Sequence, residues 1–172
     1  MSEMRQDPTT KEWVIIAAER SRRPDEFRQQ SKRERKSYSV TCPFCLGNEH
    51  FKTGHWLVFH PFASQAPFET WIVPKRHASC FASMTNAELP ELASVLRRIL
   101  HGLHTLLNDP DFNMIIHTAP VEDENTPYFV WHIEIYPRLT TPAGFELGSG
   151  IFINVAAPEE TAHLLREIVA AS

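Results

Sequence analysis

The segment Val130-Trp131-His132-Ile133-Glu134-Ile135-Tyr136-Pro137 constrains this chain more than any other stretch. Side chains alternate across an extended strand, so Trp131, Ile133 and Ile135 fall on one face while Val130, His132, Glu134 and Tyr136 fall on the other. The first row is suited to a core and the second to a site. The following run through Gly144-Phe145-Glu146-Leu147-Gly148 reads as a glycine-rich loop, where backbone can approach a ligand closely.

Other apolar runs predict strands over 13–17, 55–60, 68–73, 112–117 and 151–155, with Asp7-Pro8-Thr9-Thr10 as a turn before the first. Leu89, Leu92, Leu96, Ile99, Leu103 and Leu106 recur at helical spacing, and Asn108-Asp109-Pro110 supplies the stop. Thr85 and Glu88 form a capping-box pattern, but Pro90 sits awkwardly close behind, so the helix starts there or nearer Leu89. Residues 158–171 form a terminal amphipathic helix. This order of elements predicts an α+β fold, an antiparallel sheet with a long helix and a C-terminal helix packed on it.

A chain of 172 residues, 42% of them hydrophobic, can bury one ordinary core. The expectation is a single domain over 1–172, with a strand, a basic linker and a Cys-x-x-Cys knuckle in 1–49 and the core in 50–172. No run approaches the roughly 20 apolar residues of a membrane span, and the N-terminus lacks a signal peptide's apolar run, which predicts a cytoplasmic protein without a membrane partner. The net charge of -4 hides a basic stretch, with eight basic and three acidic residues between Arg20 and Tyr38. That stretch could hold phosphates, although such runs are more often solvated surface. The acidic balance elsewhere argues against a nucleic-acid partner.

His132 is the candidate nucleophile. A neutral imidazole attacks phosphorus near pH 7 and its phosphorylated form passes the group on, whereas a lone strand histidine without further context is more often a hydrogen-bonded structural residue. Three cysteines make no disulfide framework. Cys42 and Cys45, two residues apart, suit a zinc ion instead, because Leu46-Gly47-Asn48 would continue a redox-type helix badly. His77 is the expected third ligand and His117 the fourth, with Cys80, His55 and His60 as weaker alternatives. His101 and His104 read as surface residues of the long helix.

Arg5-Gln6-Asp7-Pro8-Thr9-Thr10-Lys11-Glu12-Trp13-Val14-Ile15-Ile16-Ala17, Arg20-Ser21-Arg22-Arg23-Pro24 and Cys42-Pro43-Phe44-Cys45 resemble the opening of the galactose-1-phosphate uridylyltransferase family. The runs Pro67-Phe68-Glu69-Thr70-Trp71-Ile72-Val73-Pro74-Lys75-Arg76-His77 and Trp131 through Gly150 resemble that family's second half. The family belongs to the histidine-triad superfamily, and its members carry two such units in tandem. This chain resembles the first unit's opening joined to the second unit's core. If that core is catalytic, His132 matches the central nucleophile of a His-x-His-x-Gln pattern. Val130 then stands where the family has a zinc ligand, and Glu134 stands for the phosphoryl-contacting glutamine. As a second-half core, His117 and His132 match histidines of that half's own metal site.

The resemblance further implies that Arg20 and Arg23 lie near the nucleotide. Gly144, Phe145 and Glu146 match a loop that reaches a sugar phosphate in a partner subunit, so a homodimer is compatible with it. The implied reaction moves UMP between UDP-glucose and galactose 1-phosphate through a histidine-bound intermediate, so the partners are a nucleotide sugar and a sugar phosphate. An ADP-glucose phosphorylase-like enzyme and a non-catalytic, zinc-stabilised nucleotide- or partner-binding module are the alternatives.

Overall fold

The computed structural model describes residues 2–7, 11–17, 49–52, 54–124 and 129–171. In chain order the strands and helices are β1 (Glu3–Gln6), β2 (Trp13–Ile16), β3 (Glu49–Lys52), β4 (Trp56–Phe59), β5 (Thr70–Pro74), α1 (Glu88–Leu107), β6 (Phe112–His117), β7 (His132–Pro137), α2 (Gly144–Ser149), β8 (Phe152–Asn154) and α3 (Pro158–Ala171). The larger sheet runs β3-β4-β5-β7-β6, with every neighbouring pair antiparallel. A smaller one runs β1-β2-β8, in which β2 and β8 are parallel. This is the expected α+β arrangement, an antiparallel sheet carrying a long and a C-terminal helix.

The β7 alternation holds residue by residue. Trp131, Ile133 and Ile135 are buried while His132, Glu134 and Tyr136 stay partly exposed. The buried row joins Trp56, Val58 and Ile72 of the sheet to Leu92, Val95, Ile99 and Leu103 of α1 and Leu165 and Val169 of α3 in one core. Each such aliphatic side chain contributes about 1.5–3 kcal/mol on burial, so helices cover one face of the sheet and the polar row is left to the other. Where α1 meets α3, a Cβ on Gly102 would lie 2.9 Å from Leu165 Cδ1 and 3.0 Å from Val169 Cγ2, so the helices touch at a residue without a side chain.

The ends of α1 follow from its sequence. Glu88 N donates to Thr85 Oγ1 at 3.3 Å and Thr85 N donates to Glu88 Oε2 at 2.7 Å, a reciprocal capping box. Leu89 N already donates to Thr85 O at 3.2 Å, so the helix is under way before Pro90, the third residue of α1. At the other end Asn108 and Asp109 take φ of 57° and 60°, a left-handed conformation that short polar side chains tolerate. Leu89, counted in the apolar stripe, is exposed; the buried stripe is Leu92, Val95, Ile99, Gly102 and Leu103.

Two expectations needed correction. The run from Gly144 is the short helix α2, because Glu146 Oε2 accepts Ala143 N at 2.8 Å and fixes the first turn before Gly150, at φ 69°, ends it. The strands β1 and β3 were not anticipated, since Glu-Met-Arg-Gln and Glu-His-Phe-Lys carry too little apolar signal. Among the described residues, no helix is long and apolar enough to cross a membrane.

Candidate functional site

Three strands build the polar face. His117 lies directly opposite His132 in the β6–β7 register, and Trp71 of β5 lies opposite Glu134. Residues opposite one another in a sheet project to the same side. The rings of Trp71, His132 and His117 form a continuous stack, with centroids 4.4 Å apart at 19° for the first pair and 4.6 Å apart at 18° for the second.

His132 Nδ1 lies 3.1 Å from the Val130 carbonyl oxygen. A carbonyl only accepts, so Nδ1 carries the proton and Nε2 keeps a lone pair. Burial pushes the His132 imidazole below its ordinary pKa, and the neighbouring His117 adds in the same direction, against the Val130 carbonyl and Asp7. The ring is therefore held neutral with one nucleophilic nitrogen.

Carboxylates surround this stack. Glu134 Oε2 pairs with His117 Nε2 at 2.8 Å. Glu69 is buried and accepts Gln65 N at 2.6 Å and Trp71 Nε1 at 2.9 Å. Burial, reinforced by Glu134, pushes its pKa up to about 8. Burial first, then Glu69, Glu134 and Glu146, pushes the Tyr136 phenol up to about 12. Sequence reasoning missed Glu69 and Trp71: their alternation puts an acid and an indole on one face, but only the pairing of β5 with β7 brings that face to His132.

Of the expected metal ligands, Cys42 and Cys45 lie outside the described residues, as do Arg20 and Arg23. His77 lines a cavity of about 350 Å³ with Arg76, Ser79, Cys80, Ser83 and Glu124. Trp131 N donates to Ala78 O and Ala119 N to Ser79 O, both at 2.9 Å, so this cavity lies at the end of the sheet that carries His117 and His132. Among the described residues, no three His, Cys, Asp or Glu side chains gather closely enough to hold a metal ion. His117 Nε2 is committed to Glu134, and a ligand role would require that pair to open or Nδ1 to serve. The alternatives His55 and His60 pair with Glu91 and with Thr161. His101 and His104 are exposed on α1.

The three residues of the expected sugar-phosphate loop lie on α2. Phe145 is half-exposed, and beyond its chain neighbours and the backbone of α2 no atom lies within 4 Å of where a Gly144 Cβ would be. Glu146 has a structural task, with Oε2 on Ala143 N and Oε1 accepting Ile153 N at 3.0 Å, which ties α2 to β8.

No protein-family model matches the chain. Its fold is that of the histidine-triad proteins: a zinc-bound histidine-triad family protein from Mycobacterium smegmatis superposes with a TM-score of 0.54 over 74% of this chain and 86% of its own, at 18% identity. ADP-glucose phosphorylase from Arabidopsis thaliana is 37% identical over 133 residues, 74% of this chain and 38% of the enzyme. A crystal structure of an ADP-glucose phosphorylase from that plant with bound ADP-glucose gives a TM-score of 0.67 over 70% of this chain and 40% of its own, at 36% identity. Galactose-1-phosphate uridylyltransferase from Haemophilus influenzae is 27% identical over 93 residues, 54% of this chain and 27% of the enzyme. The chain is thus similar, over part of their length, to members of the galactose-1-phosphate uridylyltransferase family. It spans 38% and 27% of the lengths of these two relatives, both of which are enzymes by name.

Proposed function

We propose that the protein transfers a nucleotidyl group from a nucleotide sugar through His132. The orientation of His132 carries this reading: Nδ1–H faces the Val130 carbonyl, the ring is held neutral, and Nε2 remains to attack. The Nε2 lone pair forms a bond to the α-phosphorus while the bond from that phosphorus to the bridging oxygen breaks, releasing a sugar 1-phosphate. An oxygen of the acceptor then attacks the same phosphorus and frees Nε2. Throughout, the Val130 carbonyl accepts from Nδ1–H and stabilises the charge the phosphorylated ring acquires.

The relatives support two choices of donor and acceptor. Transfer of UMP from UDP-glucose to galactose 1-phosphate suits the uridylyltransferases, while the higher identity to the phosphorylase favours ADP-glucose as donor and inorganic phosphate as acceptor. Arg20 and Arg23 would balance the phosphates against the Glu134 carboxylate. Cys42 and Cys45 with His77 have donor chemistry suited to zinc, which would brace the N-terminal segment against the sheet, with His117 as a fourth ligand if it released Glu134 or offered Nδ1. Metal content of the purified protein, compared with Cys42→Ser, tests that site.

Intact mass after incubation with ADP-glucose, and separately UDP-glucose, tests the reaction, with His132→Ala as control. An adenylyl or uridylyl adduct in the wild type and none in the variant is expected. Val130 and Glu134, which replace family site residues, favour a second reading, a nucleotide-binding module without turnover. Folded protein that binds nucleotide yet forms no adduct would support that module.

A further inference from the structure

We propose that Trp71 is a positioning residue that fixes the plane of the His132 imidazole, an inference that rests on His132 being the nucleophile. Trp71 is diagonal to His132 across the β5–β7 pair, and its indole lies on one face of the imidazole while His117 covers the other. A tilt of His132 about its ring torsion breaks both stacks. A half-turn preserves both stacks but takes Nδ1 away from the Val130 carbonyl. Stacking therefore selects the plane and the carbonyl selects the edge; together they leave a single orientation with Nε2 presented.

The indole is itself held. Its Nε1 donates to Glu69 at 2.9 Å, the other Glu69 oxygen accepts Gln65 N, and the Phe59 ring packs against the indole with centroids 5.9 Å apart. A platform braced at its edge by a part-buried hydrogen bond to a buried carboxyl does not follow the imidazole if that ring swings. Its π face also favours a neighbouring positive charge, which the phosphorylated imidazole carries. The other charged or titratable groups around the stack are His117, Glu134, Tyr136, Glu69, Asp7 and Glu146; of these, His117 stacks on the imidazole, on the side away from Trp71.

The test uses the full chain with 15N-labelled histidine, the His132 signals being those lost in His132→Gln. Wild type should show one tautomer at His132, with the proton on Nδ1. Trp71→Leu should show a mixture of tautomers, and Trp71→Phe, which keeps a ring platform, should restore the single form. With ADP-glucose or UDP-glucose, whichever labels the wild type, Trp71→Leu should slow adduct formation at saturating donor by about 10- to 100-fold, because misplacing a reacting atom by about 1 Å costs on that order. Donor affinity should change less than about threefold. A folded Trp71→Leu protein with the wild-type tautomer and adduct rate, or with affinity falling in step with rate, would overturn the proposal.

A second measurement covers a Trp71→Leu chain that does not fold. With 5-fluorotryptophan incorporated, the Trp71 19F signal, identified by its loss in Trp71→Phe, should move in His132→Gln; a signal that stays put overturns the proposal. Wild type that forms no adduct with either donor would refute the nucleotidyl-transfer reading alone, because the tautomer and fluorine measurements need no donor.

Discussion

Replacing Glu69 with glutamine should flatten the dependence of stability on pH. The Glu69 carboxyl, buried and facing Glu134, has its pKa pushed from the usual 4.5 to about 8 in the folded chain. A carboxyl whose folded pKa is raised binds its proton more tightly when folded, so its contribution is full below about 4.5 and is lost as pH rises towards 8. Between those values the loss is about 1.4 kcal/mol per pH unit, and several kcal/mol across the window. Glu69→Gln cannot ionise, so it should escape this loss, although its amide can accept only one of the two bonds from Gln65 N and Trp71 Nε1. The variant should therefore be the less stable protein at pH 5, by about 1–2 kcal/mol for the broken bond, and close or reverse that gap by pH 8. Urea unfolding of both proteins from pH 4.5 to 8.5 measures the two curves. Their difference is the observable, because every other titrating group contributes to both. Parallel curves would refute the assignment of a protonated, buried Glu69.

Glu88 should behave in the opposite sense. Hydrogen bonds from Arg76 hold its pKa near 2, so the pair stabilises the fold above about 4.5 and that contribution is lost as pH falls towards 2. Because Arg76 is half-exposed, Glu88→Gln should cost only about 1–2 kcal/mol at pH 7 in urea unfolding, shrinking in acid. Gly102→Val should lose about 1–3 kcal/mol by overpacking Leu165 and Val169, while Gly102→Ala should fall within about 1 kcal/mol of wild type because helix propensity offsets the squeeze, both read from thermal melts. Glu134→Gln keeps an acceptor for His117 and removes a carboxylate from the phosphate side, so nucleotide affinity by calorimetry should rise roughly tenfold, equivalent to about 1.4 kcal/mol of relieved repulsion; unchanged or weaker binding would place the phosphates elsewhere.

The parts legible in the sequence are those where local pattern and tertiary demand agree. Period-two alternation marked β7 with the correct face inward, since a sheet covered on one side by helices requires that alternation. The capping pair Thr85 and Glu88 and the stop at Asn108 delimited α1 for the same reason. Where a side chain serves a distant backbone, the pattern misleads. Glu146 looked available for a ligand and its neighbours looked like a loop, yet both its oxygens serve amides, one of them on β8. Trp71 and Glu69 lie in a run that resembles the family but points to no site role for either, and their bearing on His132 arises from strand order, which β5 alone does not encode.

The replaced positions of the histidine motif weigh unequally once the geometry is known. Val130 lacks an imidazole, but its part in orienting His132 is played by the backbone carbonyl, which any residue supplies. Losing a metal-ligand side chain at that position therefore leaves the tautomer of His132 intact. Glu134 is different, because its side chain is the part in use: it is turned toward His117, and the stack carries that contact to the far face of His132. A carboxylate there accepts the His117 Nε2 bond and would oppose an incoming phosphate, whereas an amide would accept the same bond without the charge. On the proposed nucleotidyl-transfer reading, turnover thus depends less on Val130, the more conspicuous departure, than on how much positive charge balances Glu134.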